Sequence, residues 1–108
     1  MTREVLGEIE HLVLLGLLRL GGESYGVPII NEIGIRTGRQ VSRAGVYIAL
    51  KRLQAKGLVS SRIGEKTAER GGRARRYFTL TRAGIISLRQ CREALVQMWQ
   101  DYEPLLEH

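Results

Sequence analysis

Residues that build metal sites and disulfides are scarce in this sequence. Its 108 residues include one Cys and two His. These three residues cannot form a disulfide framework or a four-ligand zinc site. We therefore expect no metal ion, and nothing in the sequence predicts a cofactor. A single unpaired thiol is typical of a reducing compartment, which favours the cytoplasm.

Long apolar runs are also missing. The apolar stretch over residues 12–18 is short and contains Gly16, whereas a membrane-spanning helix needs about 20 apolar residues. Glu4, Glu8 and Glu10 lie near the start of the chain, where a secretory signal peptide would be basic. The sequence thus predicts neither a membrane span nor export.

Motifs for catalysis are absent as well. The sequence has no glycine-rich phosphate loop, no metal-ligand spacing and no paired-carboxylate signature. His11 lies in an apolar segment, which favours a hydrogen-bonded core residue, and the sequence suggests no base beside Cys91. We therefore do not expect an enzyme. A redox-sensing Cys91 is an alternative to a structural thiol.

Positive charge is abundant and is concentrated in the middle of the chain. The formal net charge is +6. Residues 36–76 contain twelve Lys or Arg and two Glu, a net charge of +10, while the remainder contains five basic and nine acidic residues, a net charge of −4. Because cationic side chains release condensed counterions from phosphates, this distribution favours a nucleic-acid surface. A solvated basic surface without a partner is the alternative.

The hydrophobic pattern predicts one domain that is mainly α, with three helices, a β-hairpin and a last helix. The first helix is apolar around most of its circumference, which predicts burial. Ser24, Ser42 and Thr81 are each placed to cap a helix. The predicted helices cover residues 3–20, 24–37, 42–56 and 81–103, and the predicted strands cover residues 58–65 and 74–80.

The third predicted helix has two different faces. The apolar face, expected to pack in the core, carries Val46, Ala49, Leu50 and Leu53. On the other face, the small Ala44 permits close approach, and Tyr47 and Lys51 can reach phosphates or base edges. Ile48 has no evident core partner and suits a thymine methyl, and Arg43 lies at the helix N-terminus, which favours phosphate. An ordinary amphipathic helix is the alternative.

The connection of the predicted hairpin combines positive charge with glycine. The connection and the start of the next strand contain Arg70, Arg73, Arg75 and Arg76, and Gly71 and Gly72 lie among them. A protruding, mobile and cationic loop suits a phosphate or minor-groove contact. A solvated loop whose arginines confer solubility is the alternative.

Several segments resemble the PadR family of bacterial transcriptional regulators. They are residues 25–29 (YGVPI), 42–53 (SRAGVYIALKRL), 56–59 (KGLV) and 69–84 (ERGGRARRYFTLTRAG). The resemblance extends over about residues 6–95, and the order and spacing of the segments make it fairly specific.

The resemblance implies a winged helix-turn-helix (ααα-ββ-α). We expect a DNA-binding domain over residues 1–80 and, over residues 81–108, a short C-terminal dimerisation helix that packs on the same domain. It also implies a homodimer that represses transcription at an inverted repeat of double-stranded DNA, with the third helix in the major groove and the hairpin wing on the backbone or minor groove. The residues predicted to contact DNA are Ser42, Arg43, Ala44, Tyr47, Ile48, Lys51, Arg52, Arg70, Arg73 and Arg75.

The last predicted helix carries an apolar stripe with heptad-like spacing, which favours packing against another helix. The predicted dimer interface consists of Ile85, Leu88, Leu95, Trp99 and Tyr102. Packing against the first helix of the same chain is the alternative. Family members respond to flat aromatic compounds, so Trp99 and its symmetry mate are a candidate slot for a small aromatic effector.

Three other binding functions compete with sequence-specific DNA recognition, because the fold does not dictate the partner. A protein–protein adaptor would have a neutral or acidic third helix. An RNA binder would expose aromatic residues on a sheet, and only Tyr77 and Phe78 are available, one of which is expected to point inward. A nonspecific nucleic-acid binder is the third alternative.

Overall fold

The computed structural model describes residues 6–64 and 74–102. In these residues the chain forms four α-helices and three β-strands. The elements are α1 (Glu8–Arg19), β1 (Glu23–Ser24), α2 (Gly26–Thr37), α3 (Arg43–Ala55), β2 (Val59–Ile63), β3 (Arg76–Leu80) and α4 (Arg82–Trp99). Three helices, an antiparallel sheet with a hairpin wing (β2 and β3) and a last helix confirm the predicted winged helix-turn-helix. Within the described residues, no helix is long and apolar enough to cross a membrane.

The sheet contains one strand more than the sequence predicts. Its order is β1-β3-β2 and all pairs are antiparallel. The prediction that three helices precede any strand is therefore wrong, since β1 lies between α1 and α2. Gly21 and Gly22, with φ of 91° and 98°, turn the chain after α1, and the Gly22 carbonyl accepts a hydrogen bond from the Leu80 amide (2.8 Å). Two residues are too few to give a strand pattern in the sequence.

Side-chain caps fix the starts of two helices. The Ser42 hydroxyl accepts a hydrogen bond from the Gly45 amide (2.9 Å), as predicted for the start of α3. The Thr81 hydroxyl accepts one from the Gly84 amide (3.1 Å), as predicted for the start of α4. The predicted Ser24 cap is wrong, because the N-cap position of α2 is Tyr25, one residue later, and the Ser24 hydroxyl donates to the Tyr25 carbonyl instead.

The core lies between the three N-terminal helices and the inner face of the sheet. The predicted apolar face of α3 is buried, as expected, and α1 supplies the largest share from the other helices. The buried apolar residues include Val13, Leu14, Leu17, Ile29, Ile33, Val46, Ala49, Leu50, Leu53, Leu58, Val59, Phe78 and Leu88. Phe78 points inward and Tyr77 does not, in agreement with the prediction for this pair.

The two halves of α4 have different surroundings. Its first turns are packed in the core, where Gly84, Ser87 and Leu88 are buried. Every described residue of the helix from Arg92 onwards is exposed. The helix ends at Trp99, a few residues before the predicted end. Its second half therefore has no covering element within the described residues.

Candidate nucleic-acid interface

The outward face of α3 is exposed and basic. Arg43, Ala44, Lys51 and Arg52 are exposed, and Ile48 keeps 52% of its surface accessible although it is aliphatic. Ser42 lies at the start of this helix as its cap. The opposite face of α3 packs in the core, so core contacts fix the helix while its polar face stays exposed.

Tyr47 differs from these residues because it is half-buried. A Cβ added to Gly26 would lie 2.6 Å from the Tyr47 hydroxyl oxygen and 2.7 Å from the adjacent ring carbon, so the ring rests on the backbone of Gly26. Gly26 is the first residue of α2. Tyr47 thus connects the start of α2 to α3, and this close approach explains why glycine follows Tyr25.

The starts of α2 and α3 and the base of the wing enclose a polar cavity of about 340 Å³. Its walls are Tyr25, Val27, Arg43, Tyr47, Ala74, Arg75 and Arg76. Arg76 donates a hydrogen bond to the Ser61 hydroxyl (3.1 Å). Over residues 6–64 and 74–102, none of the three guanidinium groups forms an ion pair with a carboxylate. Their charge is therefore available to an anion.

An ion pair joins the first and last strands of the sheet on its outer face. Arg62 in β2 donates two hydrogen bonds to the Glu23 carboxylate in β1, at 3.1 and 3.0 Å, and the Thr79 hydroxyl donates a third at 2.7 Å. The hydrogen bonds from Arg62 and Thr79 lower the pKa of Glu23, and the bond to Glu23 raises the pKa of Arg62. Glu23 therefore stays ionised, and Arg62 is held across β3.

Two tyrosines continue this contact towards the cavity. The Arg62 guanidinium lies 4.7 Å from the centre of the Tyr77 ring. Tyr77 and Tyr25 meet edge to face, with ring centres 5.7 Å apart and planes at 71°. The Arg75 guanidinium lies 3.9 Å from the centre of the Tyr25 ring. We call Glu23, Arg62, Tyr77, Tyr25 and Arg75 the wing-root stack.

A second and apolar cavity lies between α1 and α4. It has a volume of about 560 Å³, and its lining is His11, Leu15, Leu18, Ile85, Leu88, Arg89, Arg92, Leu95, Val96 and Trp99. Burial lowers the pKa of His11, which favours its neutral form. Trp99 is 42% exposed, whereas Leu88 is only 6% exposed because it also belongs to the core of this chain. Tyr102 is exposed beyond the end of α4.

The structure thus brings most of the predicted DNA-contacting residues to one side of the molecule. Ser42, Arg43, Ala44, Tyr47, Ile48 and Lys51 lie on or beside the outward face of α3, and Arg75 lies across the polar cavity from Arg43. Arg52 is exposed near the C-terminal end of α3. Arg70 and Arg73 lie outside the described residues.

Similarity to known proteins decides the family. The profile of the transcriptional regulator PadR-like family matches residues 14–90, more than two thirds of the chain. The chain belongs to the PadR-like family. It is accordingly a DNA-binding winged-helix transcriptional regulator, and members of this family are regulators rather than enzymes. The match ends within α4 and includes α2, α3 and the wing.

Solved structures agree with this assignment. A PadR family transcription regulator from hypervirulent Clostridium difficile is 26% identical, with a TM-score of 0.67, over 94% of this chain and 96% of that one. A transcriptional regulator from Clostridium thermocellum is 28% identical, with a TM-score of 0.70, over 84% of this chain and 85% of that one. F93 from STIV, a winged-helix DNA-binding protein, shares the fold at 14% identity, with a TM-score of 0.71, over 93% of this chain and 100% of that one. No curated protein matches the chain.

Sequence reasoning did not predict the wing-root stack of this PadR-like protein. Tyr25 was considered only as part of the YGVPI motif, and no role was predicted for Glu23 or Arg62. The charge pattern could not reveal them, because an ion pair between residues 39 positions apart depends on the register of the sheet. The available signal was the density of Tyr and Arg in residues 75–77, next to a strand pattern.

Proposed function

We propose that the protein is a homodimeric repressor that binds an inverted-repeat operator, with α3 in the major groove and the wing on the backbone or minor groove. The observation that carries the proposal is the meeting of three elements around a cationic cavity beside the exposed face of α3. Arg43, Arg75 and Arg76 supply its charge from α3 and the wing. Phosphate contacts at this position would fix the register of α3 in the groove.

Base contacts are assigned to the middle of α3. Lys51 suits guanine, Ile48 suits a thymine methyl, and Ala44 lets the helix approach the bases closely. Arg43 and Arg52 suit phosphates at the two ends of the helix, and Ser42 presents the helix N-terminus. In the wing, Arg70, Arg73 and Arg75 suit the backbone or minor groove.

Dimerisation is assigned to α4, within the C-terminal segment of residues 81–108 that follows the DNA-binding domain of residues 1–80. Leu95, Trp99 and Tyr102 are exposed, and Ile85 and Leu88 line the same apolar cavity as Leu95 and Trp99. Burial of Trp99 in a two-fold interface would contribute about 2–3 kcal/mol per subunit. Exposed apolar side chains along half a helix are typical of an interaction surface.

A small aromatic effector is assigned to the same region. The α1–α4 cavity has a volume of about 560 Å³, within the usual range for small-molecule sites, and Trp99 offers a flat surface for stacking. An effector bound between Trp99 and its symmetry mate would change the spacing of the two α3 helices and thereby release the operator. Quenching of Trp fluorescence by phenolic acids or planar cations tests this assignment, and no quenching across such a panel contradicts it.

The operator is tested by selecting bound duplexes from a randomised DNA library at two salt concentrations. Enrichment of an inverted repeat with half-sites about one helical turn apart supports the proposal. Binding without enrichment, lost steeply with salt, reduces the function to nonspecific nucleic-acid binding. Absence of binding with and without effector favours a protein–protein adaptor.

Two sets of variants separate the DNA and dimer assignments. Lys51→Ala should weaken operator binding by about 1–3 kcal/mol, while Arg82→Ala, which removes the same charge at the start of α4, should not. Wild-type affinity in Lys51→Ala as well as in Arg82→Ala would mean that the wrong face of α3 was assigned to DNA.

Leu95→Ala combined with Trp99→Ala should shift the sedimenting species from dimer to monomer, and an unchanged dimer would contradict the interface.

A further inference from the structure

The wing-root stack ends in a cation that faces the proposed DNA surface. Arg75 lines the polar cavity together with Arg43 and Tyr47, and its guanidinium carbon lies over the Tyr25 ring, 3.9 Å from the ring centre. Stacking occupies the face of the guanidinium, whereas its N–H donors lie along the edge. An arginine held in this way keeps its donors available for a phosphate.

Tyr25 also contacts a second ring. Tyr25 and Tyr77 meet edge to face, and the Arg62 guanidinium lies 4.7 Å from the centre of the Tyr77 ring. The bidentate bond to Glu23 fixes Arg62. Sheet pairing accounts for this order, because Arg62 is paired with Tyr77 and Glu23 with Thr79, and directly paired residues point to the same face.

The two-residue strand β1 therefore helps to place the residues of the wing-root stack. It supplies Glu23 at one end of the stack, and the residue that directly follows it is Tyr25, on which the terminal Arg75 lies. Between them lie one residue of each wing strand. The position of Arg75 is thus set by the body of the domain and not by the wing alone.

We propose that Tyr25 is a positioning residue that presets the Arg75 guanidinium for one DNA phosphate, and that Glu23 supports it through Arg62 and Tyr77. This inference rests on the proposed function. A flexible arginine loses rotamer freedom when it binds a phosphate, and an arginine already stacked on a fixed ring loses less. Tyr25 therefore acts on DNA affinity through Arg75 and makes no base contact of its own.

A double-mutant cycle tests the coupling between Tyr25 and Arg75. The probe is a fluorescently labelled duplex that carries the selected sequence, titrated at several salt concentrations. Arg75→Ala should lower the affinity by about tenfold and reduce the slope of log K against log salt by about 1.8, which is about 0.9 for the one phosphate lost in each half-site of the dimer's operator. Tyr25→Leu should lower the affinity by about three- to tenfold, and in the Arg75→Ala background it should cause no further loss.

Two conservative variants separate positioning from folding. Tyr25→Phe keeps the aromatic face and should bind within about twofold of wild type. Glu23→Gln, at the exposed far end, should cause a smaller loss than Tyr25→Leu, and that loss should also vanish in the Arg75→Ala background. Thermal melting of each variant shows whether the domain stays folded. An unchanged Tm is expected if the variants act on DNA affinity through Arg75 alone.

The outcomes distinguish this inference from the function on which it rests. Additive losses for Tyr25→Leu and Arg75→Ala overturn the positioning role while leaving DNA recognition intact. Wild-type affinity for Arg75→Ala also overturns it, because no phosphate then depends on the preset cation. A wild-type protein that binds no duplex overturns the proposed function and the inference together.

Discussion

Gly84 is the position where the packing of α4 is most exacting, and Gly84→Ala should destabilise the protein. A Cβ at this residue would lie 2.3 Å from the Leu58 carbonyl oxygen and 2.7 Å from a Leu80 methyl carbon. An ordinary contact needs at least 3.4 Å, so α4 would have to move away from the oxygen by at least 1.1 Å. The same oxygen accepts a hydrogen bond from the Thr81 amide (3.1 Å), which the movement would stretch.

Overpacking of a tight site costs about 1–3 kcal/mol, and weakening a hydrogen bond adds up to about 1 kcal/mol. The better helix propensity of Ala opposes this by at most about 1 kcal/mol. We expect Gly84→Ala to lower the free energy of unfolding by about 1–3 kcal/mol. In a domain of this size each kcal/mol corresponds to a fall in Tm of about 4–8 °C.

Urea and thermal unfolding followed by circular dichroism measure this loss. The two proteins must be compared at one concentration, because dimer formation makes Tm depend on concentration. Gly34→Ala is the matched control, since a Cβ there would lie 3.7 Å from the Arg39 carbonyl oxygen, an ordinary contact, within helix α2. It should be neutral or stabilise by up to about 1 kcal/mol. A Gly84→Ala protein that melts at or above wild type would refute the close approach.

Two further substitutions test a buried ion pair and a ring contact. Burial raises the pKa of Glu10, but hydrogen bonds from Lys56 (2.7 Å) and the backbone lower it by more, so the pKa in the folded protein lies below the ordinary value of 4.5. The ionised Glu10 therefore stabilises the fold above pH 4.5, and this stabilisation is lost as the pH falls through the lower pKa of the folded protein. Glu10→Gln should therefore cost about 1–3 kcal/mol near neutral pH, and urea unfolding should show the difference shrinking below pH 4.5; a constant difference would contradict the ionised pair. Gly26→Ala should displace the Tyr47 ring and weaken DNA binding, with no added effect in a Tyr47→Ala background, and equal losses in both backgrounds would show that the ring does not rest on Gly26.

The sequence was sufficient where a signal is local and repeated. The apolar face of α3 follows from helical spacing alone, and the structure buries Val46, Leu50 and Leu53 completely. The caps at Ser42 and Thr81 follow from hydroxyl residues placed before helical patterns. These features depend on residues three or four positions apart, which is the range over which a sequence pattern carries information.

It was insufficient where sheet register decides which side chains meet. β1 has two residues, so no alternation could reveal it, and its pairing with β3 depends on the turn at Gly21 and Gly22. Leu88 is a second case in which local spacing did not show what a side chain packs against. Leu88 was predicted to lie in the dimer interface together with Leu95 and Trp99. The spacing of the stripe could not show that the first turns of α4, with Leu88, pack in the chain's own core while the later turns are exposed.

Three elements meet at Gly57 and Leu58. The Leu58 amide donates to the Leu53 carbonyl of α3, β2 begins at the next residue, and Thr81 at the start of α4 bonds to both the Gly57 and Leu58 carbonyls. Hydrogen bonds at this one segment therefore connect α3, the wing and the start of α4. With 18 residues, α4 is a lever of about 27 Å, so a tilt of roughly 5° at its base moves its far end by about 2 Å. A ligand or subunit that moved Trp99 by this distance would tilt the helix at the segment that joins α3 to the wing.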